Sequence, residues 1–166
     1  MNSILKVAGA AILVLFALLS PAAAQMSFQP IAVTASTTLD DRQVGAVVVV
    51  NAAAGLSLTL PDASGSGRSY EIVIGTTVTS NNVIVQVANA ADVMTGVAVL
   101  GQDAADTAVL FETAATSDTI TLNGSTKGGI NGDRIVIKDV GADLWLVQLI
   151  GSATGTEATP FSAAVS

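Results

Sequence analysis

Val44-Gly45-Ala46-Val47-Val48-Val49-Val50, then Asn51-Ala52-Ala53-Ala54-Gly55, then Leu56-Ser57-Leu58-Thr59-Leu60-Pro61 is the stretch whose reading decides the fold class. Valine is stiff at χ1 and packs well on a pleated surface, so the first run is a strand. The Asn-to-Gly segment is turn chemistry. In the third run Leu56, Leu58 and Leu60 alternate with Ser57 and Thr59, which gives a strand one apolar and one hydroxylated face. Pro61 ends the ladder, because it has no N–H to donate.

Working outward, the same alphabet continues. After Ser64-Gly65-Ser66-Gly67, the residues Tyr70, Ile72 and Ile74 point one way, and Ser69, Glu71 and Val73 the other. Asn81-Asn82 separates this strand from Val83 to Val87. Further strands are expected over Val93 to Leu100, Thr107 to Glu112, Asp118 to Leu122, Arg134 to Val140 and Leu144 to Ile150. Asn123-Gly124 is the strongest turn signal and reads as a hairpin. No long stretch keeps a 3.6-residue apolar stripe. The expectation is an all-β domain over residues 44–150, an antiparallel sandwich or jelly-roll-like body in which two sheets share one core. A β-helical solenoid is the alternative, but no fixed-period repeat supports it.

The ends differ. Residues 1–24 have a positive start, an apolar run from Val7 to Leu19 and small residues at Ala22 and Ala24, the three parts of a signal peptide. The run is shorter than the roughly 20 residues a membrane-crossing helix needs, so cleavage is expected over retention as an apolar anchor. Intact-mass measurement on exported protein should place the N-terminus at Gln25; Met1 would indicate an anchor, and Met26 a start inside the chain. Residues 25–43 read as a Thr/Ala-rich arm and 151–166 as a polar tail, each disordered or ordered only by neighbouring subunits.

Composition narrows the chemistry. The 166 residues contain neither His nor Cys, so Ser-His-Asp and Cys-His catalysis and the familiar zinc sites drop out. A net charge of −7, one unit more negative once Lys6 leaves with the leader, repels phosphate backbones and anionic lipid. Neither nucleic acid nor, after leader removal, a membrane is an expected partner. Charged residues make up only 11% of a chain that is 51% apolar, which suggests that copies bury surface against one another.

Asp103 and Asp106, with Gln102, offer oxygen ligands but lack the spacing of a calcium loop. Gly65-Ser66-Gly67-Arg68 and Gly124-Ser125-Thr126-Lys127-Gly128-Gly129 look like phosphate-binding loops, yet neither matches the P-loop pattern or leads into a helix. Glu71, Glu112, Asp118 and Asp133 are candidates for a carboxylate pair, although one Trp and one Tyr are few for a sugar cleft. Trp145 and Tyr70 read as core or subunit-contact residues, and Asn123-Gly124-Ser125 is a formal glycosylation sequon. No catalytic, cofactor-binding or metal-binding residue is assigned, no cofactor is implied, and no single polar residue is expected to be indispensable.

Asn51-Ala-Ala-Ala-Gly55 with Thr59-Leu60-Pro61, Gly67 to Tyr70, Gly75 to Asn81, Val87-Ala88-Asn89, Asp92-Val93-Met94, Phe111 to Ala114, Ser117 to Ser125, Gly132-Asp133 and Gly151 to Phe161 form a combined string. Together these segments resemble a family of small tailed-bacteriophage virion proteins of the capsid-decoration or head-fibre kind. The resemblance implies a non-enzymatic β domain, a homotrimer on the virion surface, partnered by a capsid or fibre protein. It carries over no catalytic residue. The leader supports an alternative expectation: a secreted or periplasmic cell-surface module, either an adhesin or an extracellular assembly subunit.

Overall fold

The computed structural model describes residues 29–165, so the expected leader, its expected cleavage site and Met26 lie outside the described residues. The strands are β1 (Ile31–Val33), β2 (Thr37–Thr38), β3 (Val47–Val50), β4 (Leu56–Thr59), β5 (Ser69–Ile74), β6 (Val83–Gln86), β7 (Val93–Gln102), β8 (Ala108–Glu112), β9 (Thr119–Leu122), β10 (Arg134–Gly141), β11 (Leu144–Ala153) and β12 (Phe161–Ser162). No helix occurs among the described residues. All nine strands expected from the sequence are present; β1, β2 and β12 were not anticipated.

The strands form a seven-stranded sheet, ordered β1-β3-β5-β10-β11-β7-β8, and a five-stranded sheet, ordered β12-β9-β6-β4-β2. One hydrophobic core joins them: Val48, Ile72, Ile137, Trp145 and Val147 come from the larger sheet, and Leu58, Val85, Ile120 and Leu122 from the smaller. Burial alternates with the sequence pattern, as in β4 and β5, where every second residue is inside.

The antiparallel expectation needs correction: both sheets are mixed. From β1 to β6 the chain alternates between the sheets, so strands two apart in sequence pair in parallel, β1 with β3 and β3 with β5 in one sheet, β2 with β4 and β4 with β6 in the other. The crossover that parallel pairing requires is here a strand of the opposite sheet. Asn51 to Gly55 is therefore a corner between sheets. The next corner stacks on it, with Thr79 N donating to Ala53 O at 2.8 Å and Asn81 Nδ2 to Ala54 O at 3.1 Å. This half winds like the solenoid alternative, but its coils are unequal: Ile31 faces Val48, which faces Ile72, while Thr37 faces Leu58, which faces Val85. Coils of unequal length leave no fixed period in the sequence.

The second half closes the winding. β9 and β10 add antiparallel to β6 and β5, and β11 pairs antiparallel with β10 but parallel with β7. At the β11–β7 ladder the backbones approach closely at Gly96, where φ is 151° and a Cβ would overlap the Val147 carbonyl oxygen. Only glycine fits there. Asn123-Gly124 does not form a hairpin between paired strands either, because β9 and β10 belong to different sheets.

Arm and tail are both part of the fold. Residues of the arm supply β1, β2 and the buried Leu39; in the tail, β11 runs on to Ala153 and β12 pairs with β9. Main-chain hydrogen bonding and a few buried side chains order them within one chain.

Candidate functional site

Four carboxylates were candidates for joint chemistry, and the fold separates them. Glu71 and Glu112 lie on the outer face of the seven-stranded sheet, in one cross-strand row: Glu71, Val136, Gln148, Val97, Glu112. Four strand spacings of about 4.8 Å put them roughly 19 Å apart. Paired glycosidase carboxylates stand about 5–9.5 Å apart, so these two cannot act on one bond. Glu71 instead meets Arg134, whose Nη1 is 3.3 Å from its Oε1.

Asp118 and Asp133 are buried and hold backbone. Asp118 Oδ1 accepts from Thr119 Oγ1 at 2.7 Å and from Ala164 N at 2.8 Å, which fastens the C-terminal segment to β9. Asp133 Oδ2 accepts from Gly129 N at 2.7 Å and Ile130 N at 3.0 Å, while Oδ1 accepts from Ser152 N at 2.9 Å. The glycine-rich stretch is thus folded around a carboxylate.

The other apparent phosphate loop has the same explanation. Asp139, fully buried on β10, accepts from Gly65 N at 2.6 Å, Ser66 N at 2.9 Å, Ser64 N at 3.1 Å and Ser66 Oγ at 2.6 Å. Gly65, at φ 73°, reaches the left-handed conformation that turns successive amides toward one point. The loop does bind an anion, and the anion is this chain's own side chain. Burial alone raises the Asp139 pKa, but the donors of Ser66, Ser64 and Gly65 outweigh it and hold the carboxyl well below the usual range. Sequence reasoning passed over Asp139, yet a signal was present: Ile135, Ile137 and Asp139 share the inward parity of their strand.

Asp103 and Asp106 sit in the exposed turn between β7 and β8. Gln102 is engaged elsewhere, its Nε2 donating to Glu157 Oε2 at 2.7 Å and its Oε1 accepting from Thr107. No group of three or more metal-ligating side chains occurs among the described residues. Asn123 is half-buried; its Oδ1 accepts from Ser125 N and Lys127 N and its Nδ2 donates to Thr126 Oγ1, so the sequon amide is tied into its own turn. Tyr70 and Trp145 are core residues with ring centroids 6.1 Å apart.

No pocket is found among the described residues. What the fold does present is a broad outer sheet face. Ala32, Val49, Val73, Arg134, Ile150, Val99 and Leu110 form one unbroken row across all seven strands. Leu110 is 65% and Ile150 58% exposed, and Leu146 and Val97 add to the apolar surface beside them. A flat apolar face crossed by isolated charges can bind another surface; it cannot enclose a small molecule. No protein-family model, curated protein or solved structure matches this chain.

Proposed function

We propose that this protein is a non-enzymatic structural component of a virion, an oligomeric decoration of a tailed-phage capsid or fibre whose two-sheet body is the β domain that the resemblance implies. The resemblance implies three copies. One observation carries the reading: the buried carboxylates Asp118, Asp133 and Asp139 are spent on the chain's own backbone, while the outer face of the seven-stranded sheet leaves Leu110, Ile150, Leu146 and Val97 in solvent. Such a protein works by covering, and its affinity is spread over many small apolar and backbone contacts. A secreted or periplasmic surface module using the same face is the second reading, favoured by the leader at residues 1–24.

Attachment to particles, measured by co-sedimentation alongside thermal unfolding, tests this. Glu71→Gln and Glu112→Gln should leave both unchanged, because their carboxylates are exposed and make at most one surface ion pair. Asp118→Asn and Asp133→Asn should each cost about 1–3 kcal/mol of stability through lost charge-assisted hydrogen bonds, and lower attachment only in that proportion. Polysaccharide hydrolysis that one amide abolishes in a folded protein would overturn the structural reading, as would a folded chain that attaches to neither particle nor cell surface.

A further inference from the structure

The seven-stranded sheet ends at β8, and among the described residues no strand pairs with that edge. Gln102 N donates to Thr107 O at 3.0 Å and Thr113 N to Gly96 O at 3.1 Å, which fixes the hydrogen-bonding parity of the β7–β8 ladder. Hydrogen-bonded pairs alternate with non-bonded ones, so Thr107, Val109, Phe111 and Thr113 turn their main-chain groups toward β7. Ala108, Leu110 and Glu112 turn theirs outward. These are also the exposed positions of the strand, whereas Phe111 packs inward against the core. Natural edge strands are ordinarily blunted by proline, lysine or a bulge. β8 has none of these, and its central outward residue is the most exposed large apolar side chain described.

We propose that β8 pairs with β8 of a second copy, antiparallel and centred on Leu110, to make one continuous sheet across a twofold axis. The strand is self-complementary in that register. Leu110 faces Leu110 of the other copy, with both main-chain hydrogen bonds exchanged, and Ala108 faces Glu112 in each direction. The two Glu112 carboxylates then stand roughly 14 Å apart, beyond the screening length of about 8–10 Å. Centring on Ala108 would set the strand against the 104–107 turn, and the remaining registers fail on charge. Centring on Val109 sets Asp106 against Glu112, centring on Glu112 sets the carboxylates face to face, and centring on Phe111 leaves them about 7 Å apart on one face. The contact also joins the two apolar rows that end at Leu110 into a single stripe across both copies.

This inference rests on the self-associating reading above and changes its copy number, because a twofold contact closes on two chains. The full chain at micromolar concentration should have twice the chain mass by light scattering. Leu110→Lys, which keeps the β7 ladder and adds a charge to the edge, should give the single-chain mass and still unfold cooperatively, at a midpoint that no longer rises with protein concentration. The sequence has no cysteine, so Leu110→Cys gives one thiol per chain. Paired main-chain positions lie about 5.5 Å apart, within disulfide range, and mild oxidation with diamide should link most chains. Ala108→Cys, whose copies would be about 14 Å apart, should not link. Equal linking at both positions, or an oligomer of any mass that survives Leu110→Lys, would overturn the β8 contact and leave particle attachment as the separate test of function. A wild-type chain that stays monomeric across dilution would overturn self-pairing outright.

Discussion

Replacing Trp145 by alanine should cost about 3–5 kcal/mol of folding stability, a large share of the 5–15 kcal/mol that holds an ordinary domain together. Trp145 is fully buried on β11, opposite Asp139 of β10 and Met94 of β7, with the Tyr70 ring tilted 43° to it. It therefore stands where three strands of the larger sheet meet the core. Its Nε1 has no hydrogen-bond partner among the described residues, so truncation loses packing and opens a cavity without orphaning an acceptor. Trp145→Phe should restore more than half of the loss. Urea unfolding followed by circular dichroism measures this, since the variant has no tryptophan fluorescence. A cost below about 1 kcal/mol would show that the site collapses around the gap or that the ring is not central to the core.

Asp139→Asn should be nearly as damaging, at about 2–4 kcal/mol near neutral pH. The amide carries an NH2 where Gly65, Ser64 and Ser66 present donors, so buried N–H groups lose charge-assisted partners or face another donor. The pH dependence has a definite sign. The folded carboxyl titrates below its unfolded value of about 3.9, so its contribution is fully present above that value and is lost progressively as pH falls toward the depressed folded one. Wild-type stability should thus decline as the pH drops below about 4, and the Asn variant should lose much less over the same interval. Parallel slopes for the two proteins would show that Asp139 does not govern acid unfolding.

The consequence reaches the proposed function through the fold. Asp139 fixes the Ser64 to Arg68 loop on β10, and β10 is the central strand between β5 and β11. Loosening that loop disturbs the sheet whose outer face is proposed to bind. The effect on attachment should follow the loss of folded protein, whereas Leu110→Lys changes association and leaves the fold intact. The two variants separate a residue that builds the surface from one that uses it.

By itself the sequence determined nine of the twelve described strands and which way their residues face. Alternation such as Leu56-Ser57-Leu58-Thr59 depends only on the twofold pleat and on the transfer of apolar side chains from water, both local properties. The same parity is consistent with the interior places of Trp145 and Tyr70, and it held a signal for the buried Asp139 that the sequence reading passed over. Which strands are neighbours was decided only in three dimensions. A five-residue segment such as Asn51 to Gly55 suits either a hairpin or a corner between sheets, and the outcome depends on where the far-off corner at Thr79 to Asn82 stacks. The arm and tail were misread for a related reason: composition reports low hydrophobicity, but β1 and β12 are ordered by long-range main-chain hydrogen bonds that any side chain can accompany. The candidate chemistry was likewise settled by distance. Glu71 and Glu112 are set apart by the three strands between β5 and β8, the glycine loops are filled by Asp139 and Asp133, and β8 is left at an open edge, because sheet order is fixed by contacts between residues far apart in the chain.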